Sequence, residues 1–123
     1  MFKRPPLCIG WDIVGVIDKI GDKASKSSTW RTGDTVAALP VVGGYAEYLC
    51  IRSDQLVPVP YGLDPAEVVS VILNYITAYQ TLHRSAHIES GESVLVHSGG
   101  GGVGTALLQL RKLQGLEMYA TCS

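Results

Sequence analysis

A run of glycines in the last third of the chain constrains its fold more than any other feature. The run occupies residues 99–102 and continues as Val103-Gly104, so the segment satisfies the pattern G-x-G-x-x-G. An apolar segment at 93–97 precedes it, and apolar residues at helical spacing follow it at 103–113. A second apolar segment lies at 116–121. This order predicts a strand, a glycine loop, a helix and a strand, which is one βαβ unit.

The setting of this loop predicts a pyrophosphate site. The first amides of a helix have no acceptor within the helix, and they lie at the positive end of its dipole. Gly101 would let the backbone approach the phosphates, and Gly104 would let the helix pack closely on the strand. A flexible linker is the alternative interpretation, but linkers are not usually framed by apolar segments on both sides.

The end of the second strand decides which nicotinamide dinucleotide such a unit prefers. An acidic residue there favours the ribose hydroxyls of NAD, whereas small polar or basic residues admit the additional phosphate of NADP. This strand ends in Thr121-Cys122-Ser123. We therefore expect NADPH as the cofactor, with Ser123 as a candidate contact and NADH as the alternative.

Residues 1–60 follow a different pattern, with short Val- and Ile-rich segments between glycines and prolines and no helical periodicity. We expect a polar loop at 21–32 and a small, partly closed β-barrel with strands at 13–20, 36–39, 45–51 and 56–59. Asp64-Pro65-Ala66-Glu67 predicts the start of a helix that ends near Leu82. The joint between the two parts is expected at 83–91.

Composition argues against several classes of protein. Ten Lys and Arg nearly balance eleven Asp and Glu, so no basic footprint for nucleic acid is present. No apolar segment approaches the roughly 18 residues of a membrane span, and no secretory signal is recognised, so we expect a cytoplasmic location. Cys8, Cys50 and Cys122 form no CxxC pair, and we expect three reduced, buried thiols.

Several segments together resemble the medium-chain dehydrogenase/reductase superfamily, and within it the zinc-free quinone oxidoreductase branch, which includes zeta-crystallin and VAT-1-like proteins. They occur in family order as GWDIVGV at 10–16, GDTV at 33–36, GGYAEY at 43–48, TAY at 77–79, and GESVLVH at 91–97 before the glycine loop. The resemblance implies an α/β protein, with a partial GroES-like β-barrel domain and connecting helix at 1–83. The start of a truncated Rossmann domain would then occupy 84–123.

The resemblance also implies chemistry without zinc. Zinc alcohol dehydrogenases of this superfamily carry Gly-His-Glu where this chain has Gly10-Trp11-Asp12, and that His is a metal ligand. An indole has no lone pair free for a metal, and the three histidines of the chain show no ligand spacing, so we expect no metal site. Asp12 is interpreted as a structural residue.

Without a metal, the implied reaction is hydride transfer from the nicotinamide to a carbonyl that conjugation already activates, such as a quinone or an enone. By resemblance, the cofactor-binding residues are Thr77 near the nicotinamide and, at the pyrophosphate, Gly99, Gly101, Gly102, Val103 and Gly104. A Thr77 that is only satisfied within its helix is nearly as good an interpretation, and Tyr45 is a weaker candidate for the substrate cleft. No catalytic residue is assigned.

Two other functions stay open from the sequence. One is a non-catalytic NADPH-binding module of the crystallin or VAT-1 type, and the other is an enoyl-reductase module of a polyketide or fatty-acid synthase. Family members are much longer, so the resemblance implies a fragment with doubtful activity alone. The strand at 94–97 should be central in its sheet, and its unpaired edge predicts association into a homo-oligomer.

Overall fold

The computed structural model describes residues 8–122, without the side chains of residues 112–114. The chain divides into two compact units, Met1–Ile72 and Leu73–Ser123. The first contains a three-stranded antiparallel sheet and the second a two-stranded parallel sheet. This architecture confirms the mixed α/β class that the sequence predicts.

The sheet of the first unit has its core on the central strand. Its strands are β1 (Ile13–Val16), β2 (Thr35–Ala38) and β3 (Val57–Pro58), in the order β1-β2-β3. Strand β2 pairs with β1 and with β3, and its residues Val36, Ala37 and Ala38 are at most 5% exposed. A proline is tolerated in β3 because this strand lies at the edge of the described sheet.

Two predictions for the first unit are wrong. The segment at 45–51, predicted as a strand, has no regular structure, and Tyr45 and Tyr48 are 75% and 78% exposed. The segment at 21–32, predicted as a loop, contains the helix α1 (Asp22–Ser27), whose carbonyl groups at Lys23 and Ala24 accept hydrogen bonds from the hydroxyls of Ser27 and Ser28. The described strands form an open sheet rather than a closed barrel.

The long helix α2 (Pro65–Gln80) begins where the sequence predicts. Asp64 Oδ1 accepts a hydrogen bond from the Ala66 amide at 2.7 Å, and Pro65 occupies the first helical position, where no amide is needed. The helix continues as a π-helical turn, Thr81–Ser85, which contains the predicted end at Leu82. The boundary between the two compact units lies within α2, after Ile72. The domain boundary that the resemblance implies, between residues 83 and 84, stays a prediction.

The second unit contains the predicted βαβ arrangement. Strand β4 (Ser93–Val96), helix α3 (Gly102–Gln114) and strand β5 (Glu117–Ala120) follow one another, and β4 pairs with β5 in parallel. Leu82, Val96, Leu116 and Met118 form the buried core between these elements. Gly115 ends α3 at a φ of 64°, in the left-handed region that favours glycine at this position.

The two-stranded sheet has an edge and a face without a partner in the described part of the chain. Strand β4 pairs with β5 only, and the cross-strand neighbours Leu95 and Tyr119 are 60% and 55% exposed. Association through this edge stays a prediction. Within residues 8–122, no helix combines the length and the apolar character that a membrane crossing requires.

The turn after β4 generates a prediction about stability. Ser98 has a φ of 59°, a left-handed conformation that costs an L-residue about 1–2 kcal/mol and that glycine adopts freely. We expect Ser98→Gly to raise the free energy of unfolding by about 1 kcal/mol. Ser98→Val should lower it, because a β-branched residue is poorly tolerated at positive φ. Urea unfolding monitored by circular dichroism measures the free energy of unfolding of both variants. A Ser98→Gly variant less stable than wild type would contradict the left-handed conformation of Ser98.

Candidate functional site

The glycine loop lies at the carboxyl edge of the parallel sheet. The Ser98 carbonyl accepts a hydrogen bond from the Gly101 amide at 3.0 Å, which closes a tight turn directly after β4. The Gly99 amide donates to the Thr121 carbonyl at 2.9 Å, just beyond β5. The loop is therefore held by the ends of both strands, at the edge where ligands of open α/β sheets bind.

The loop delivers a set of backbone amides at the start of α3. Gly101 precedes the helix, and its carbonyl accepts hydrogen bonds from the Thr105 amide at 2.8 Å and hydroxyl at 3.0 Å. The next three amides, those of Gly102, Val103 and Gly104, have no acceptor inside the helix. The N-cap residue is Gly101, which has no side chain to supply a capping hydrogen bond. An anionic group is the natural partner for such amides.

Three loop positions have no room for a side chain, and a different element closes each one. A Cβ on Gly99 would lie 2.6 Å from the Cβ of Ala120 in β5. One on Gly102 would lie 2.8 Å from the carboxamide nitrogen and oxygen of Asn74 in α2. One on Gly104 would collide with the loop itself, 2.8 Å from the Gly99 Cα. Gly104 is thus closely packed against the start of the loop, whereas the close packing of the helix on the strand that the sequence predicts at Gly104 stays a prediction.

The remaining loop glycines are more open. A Cβ on Gly100 would meet nothing within 4 Å, and one on Gly101 would meet only the Ser98 carbonyl, at 3.4 Å. The open side at Gly101 is compatible with close approach of a phosphate. Its contact with a ligand stays a prediction, as do those of Gly99, Gly102, Val103 and Gly104.

The predicted residues outside the loop have different positions. Thr77 is exposed on α2, three residues after Asn74, so both side chains belong to neighbouring positions on one side of the helix. The Thr77 carbonyl accepts a hydrogen bond from the Thr81 hydroxyl at 2.8 Å. Tyr45 belongs to the first unit, and Ser123 lies outside the described residues.

Asn74 is the site residue that sequence reasoning missed. Its carboxamide lies against Gly102, the first residue of α3. The available signal was a strongly polar side chain within the otherwise mostly apolar segment at 71–76. The resemblance drew attention to the Thr-Ala-Tyr motif that follows, and spacing alone does not show which residue of α2 reaches the loop.

The candidate metal ligands are scattered. Within the described residues, no three or more His, Cys, Asp or Glu side chains form a group that could hold a metal ion. His97 Nδ1 lies 3.2 Å from the Thr121 hydroxyl, and the His83 ring lies 4.1 Å from that of Tyr79, centroid to centroid. Trp11 is 58% exposed. Cys8, Cys50 and Cys122 are free thiols, but the burial predicted for them is wrong, because Cys50 and Cys122 are exposed and Cys8 is half-buried.

Ionisable side chains contribute little to the loop itself. On β5, the Tyr119 hydroxyl donates to Glu117 at 2.8 Å, and this hydrogen bond raises the pKa of Tyr119 above its ordinary value. The donors that the loop presents at the start of α3 are backbone amides, which do not titrate near neutral pH.

Sequence comparisons connect this geometry to known proteins. The alcohol dehydrogenase GroES-like domain family matches residues 1–61. Quinone oxidoreductase of Homo sapiens is 38% identical over 117 residues, which cover 94% of this chain and 35% of that protein. Synaptic vesicle membrane protein VAT-1 homolog-like of Mus musculus is 34% identical over 107 residues, which cover 87% of this chain and 25% of that protein. The chain thus spans about a third or less of the length of these relatives.

Solved structures match nearly the whole chain. The human synaptic vesicle VAT-1 homolog-like protein has a TM-score of 0.89 at 31% identity, covering 98% of this chain and 38% of that one. The JamJ enoyl reductase has a TM-score of 0.86 at 34% identity, covering 96% and 34%. The Escherichia coli quinone oxidoreductase complexed with NADPH has a TM-score of 0.84 at 25% identity, covering 97% and 37%. Together with the motifs, these matches show that the chain belongs to the medium-chain dehydrogenase/reductase superfamily.

Proposed function

We propose that the protein, at the full length of its relatives, is an NADPH-dependent oxidoreductase that transfers hydride to a quinone or another conjugated carbonyl without zinc. The observation that carries this proposal is the glycine loop at 99–104, which presents helix-start amides at the carboxyl edge of a parallel sheet. The similarity of the chain to quinone oxidoreductases supports hydride transfer as the reaction class.

The residues of the loop fit a dinucleotide. The amides of Gly102, Val103 and Gly104 would bind the pyrophosphate, the open side at Gly101 would leave it room, and Thr77 would lie near the nicotinamide. NADPH supplies the hydride when it is bound. The preference for NADPH over NADH is supported by Thr121-Cys122 after β5, where an acid would favour NADH, and by two similar structures described as NADPH complexes.

Zinc independence is supported by the side chain at the position of the family's metal-binding histidine. Trp11 offers an indole there, and an indole does not coordinate a metal. A quinone or an enone accepts hydride at a carbon conjugated to its carbonyl and spreads the resulting charge over that system, so a Lewis acid is not required. A cytoplasmic location remains part of this proposal.

Enoyl reduction is the second candidate function. The JamJ and CurK enoyl reductases each have a TM-score of 0.86, and compactin diketide synthase mlcB of Penicillium citrinum is 39% identical over 113 residues. An enoyl thioester is also a conjugated carbonyl, so the two candidates share the hydride donor and differ in the acceptor. Initial rates of NADPH oxidation with a quinone and with a 2-enoyl thioester distinguish them, and binding of NADPH without turnover of either indicates a non-catalytic module.

The glycine loop generates a prediction about cofactor binding. We expect the full-length wild type to bind NADPH. The Gly104→Ala variant should bind it about tenfold or more weakly, because the added Cβ would collide with the Ser98 carbonyl and push the start of α3 away from the turn. The same substitution should lower the free energy of unfolding by about 1–3 kcal/mol. Titration followed by NADPH fluorescence measures the affinity.

Gly100→Ala is the matched control for this experiment. The added Cβ has open space, and the φ of Gly100 is not positive, so this variant should bind NADPH as wild type does. Equal NADPH affinity of the Gly104→Ala variant and wild type would contradict the role given to the loop.

Zinc independence predicts resistance to chelation. We expect quinone-dependent oxidation of NADPH by the full-length protein to be unchanged after dialysis against a strong zinc chelator, since Trp11 cannot serve as a ligand. Metal analysis of the dialysed sample is the control. Activity that disappears on chelation and returns with added Zn²⁺ would show that a metal participates.

A further inference from the structure

The carboxamide of Asn74 lies flat against the first residue of α3. A Cβ on Gly102 would lie 2.8 Å from both Oδ1 and Nδ2 of Asn74 and 2.9 Å from its Cγ. Because these three atoms are nearly equidistant from that point, the face of the carboxamide is turned towards Gly102. Its N–H and C=O edges consequently extend sideways along the surface of the loop.

Asn74 lies on α2 near residues that contact the rest of the second unit. The hydroxyl of Tyr75, the next residue, donates a hydrogen bond to Oε1 of Gln109 in α3. Ala78, one turn further along α2, is completely buried. Asn74 itself is half-buried. The side chain thus projects from a regular helix rather than from a loop, and binding groups on helices are held more precisely than those on loops.

The two ends of the glycine loop face different elements. Gly99 bonds to Thr121 and lies against Ala120, so this end adjoins β5. Gly102 adjoins α2 through Asn74. In dinucleotide-binding units the adenosine half lies over the end of the second strand. The phosphate attached to the nicotinamide half would therefore be on the side of Asn74.

A carboxamide suits a phosphate at this position. It has two N–H donors and two acceptor lone pairs, so it can serve the protein and a ligand at once, and a hydrogen bond to a phosphate oxygen is charge-assisted. We propose that Asn74 is a further ligand of the dinucleotide, donating from Nδ2 to the nicotinamide-side phosphate beside the amides of Gly102, Val103 and Gly104. This inference rests on the proposed binding of NADPH.

The test compares two ligands on the full-length protein. NADPH contains the nicotinamide-side phosphate, whereas 2′,5′-ADP contains only the adenosine half. We expect Asn74→Ala to lower the affinity for NADPH by about tenfold and to leave that for 2′,5′-ADP within about twofold. Asn74→Asp should lower NADPH affinity further, because a carboxylate cannot donate and repels the phosphate. That additional loss should shrink as the salt concentration rises.

Tyr75→Phe is the control for a merely structural role. It removes the hydrogen bond to Gln109 from the neighbouring residue, so it should lower Tm and leave the ratio of the two affinities unchanged. Asn74 variants that lower Tm without changing this ratio would overturn the inference. Asn74 variants that bind NADPH as tightly as a binding-competent wild type would also overturn it, with the proposed function intact. A wild type that binds no NADPH would overturn the proposed function and this inference together.

Discussion

Close approach of backbone to neighbouring elements, at positions without a side chain, is the constraint on which the second unit depends. Gly99 meets β5, Gly102 meets α2, and Gly104 meets the beginning of its own loop. Overpacking a well-packed site commonly costs about 1–3 kcal/mol, so side chains at Gly99 and Gly104 would push backbone segments apart, whereas one at Gly102 would displace the carboxamide of Asn74. The start of α3 can lie this close to the beginning of the loop and to β5 because Gly99 and Gly104 have no side chains.

The second unit could be predicted from the sequence nearly in full, because its signals are local and agree with one another. Apolar segments, a glycine run and a helical stripe indicate β4, α3 and β5 within one or two residues of their observed ends. The first unit could not be predicted as fully from the sequence, because its strands depend on partners that are distant in the chain. The mostly apolar segment at 45–51 resembles a strand but pairs with none of the described strands. The short helix α1 lies in a segment whose Lys and Ser residues also suit a loop.

The candidate site likewise has a part that could be predicted from the sequence and a part that could not. Spacing and setting identify the glycine positions, since G-x-G-x-x-G between a strand and a helix follows from chain order alone. Which element packs against each glycine depends on tertiary structure and does not follow from the sequence pattern. Asn74 and Gly102 belong to different helices, and no periodicity connects them. The left-handed conformation of Ser98 could not be predicted from the sequence either, because serine rarely adopts it.

The hydrogen bond from Gly99 to Thr121 has an entropic consequence. It fixes the separation between the amides at the head of α3 and the end of β5 before any ligand arrives. A ligand long enough to reach from one to the other finds both anchoring points already set at one spacing. Little freedom of the chain is then lost on association, and more of the contact free energy remains available as affinity.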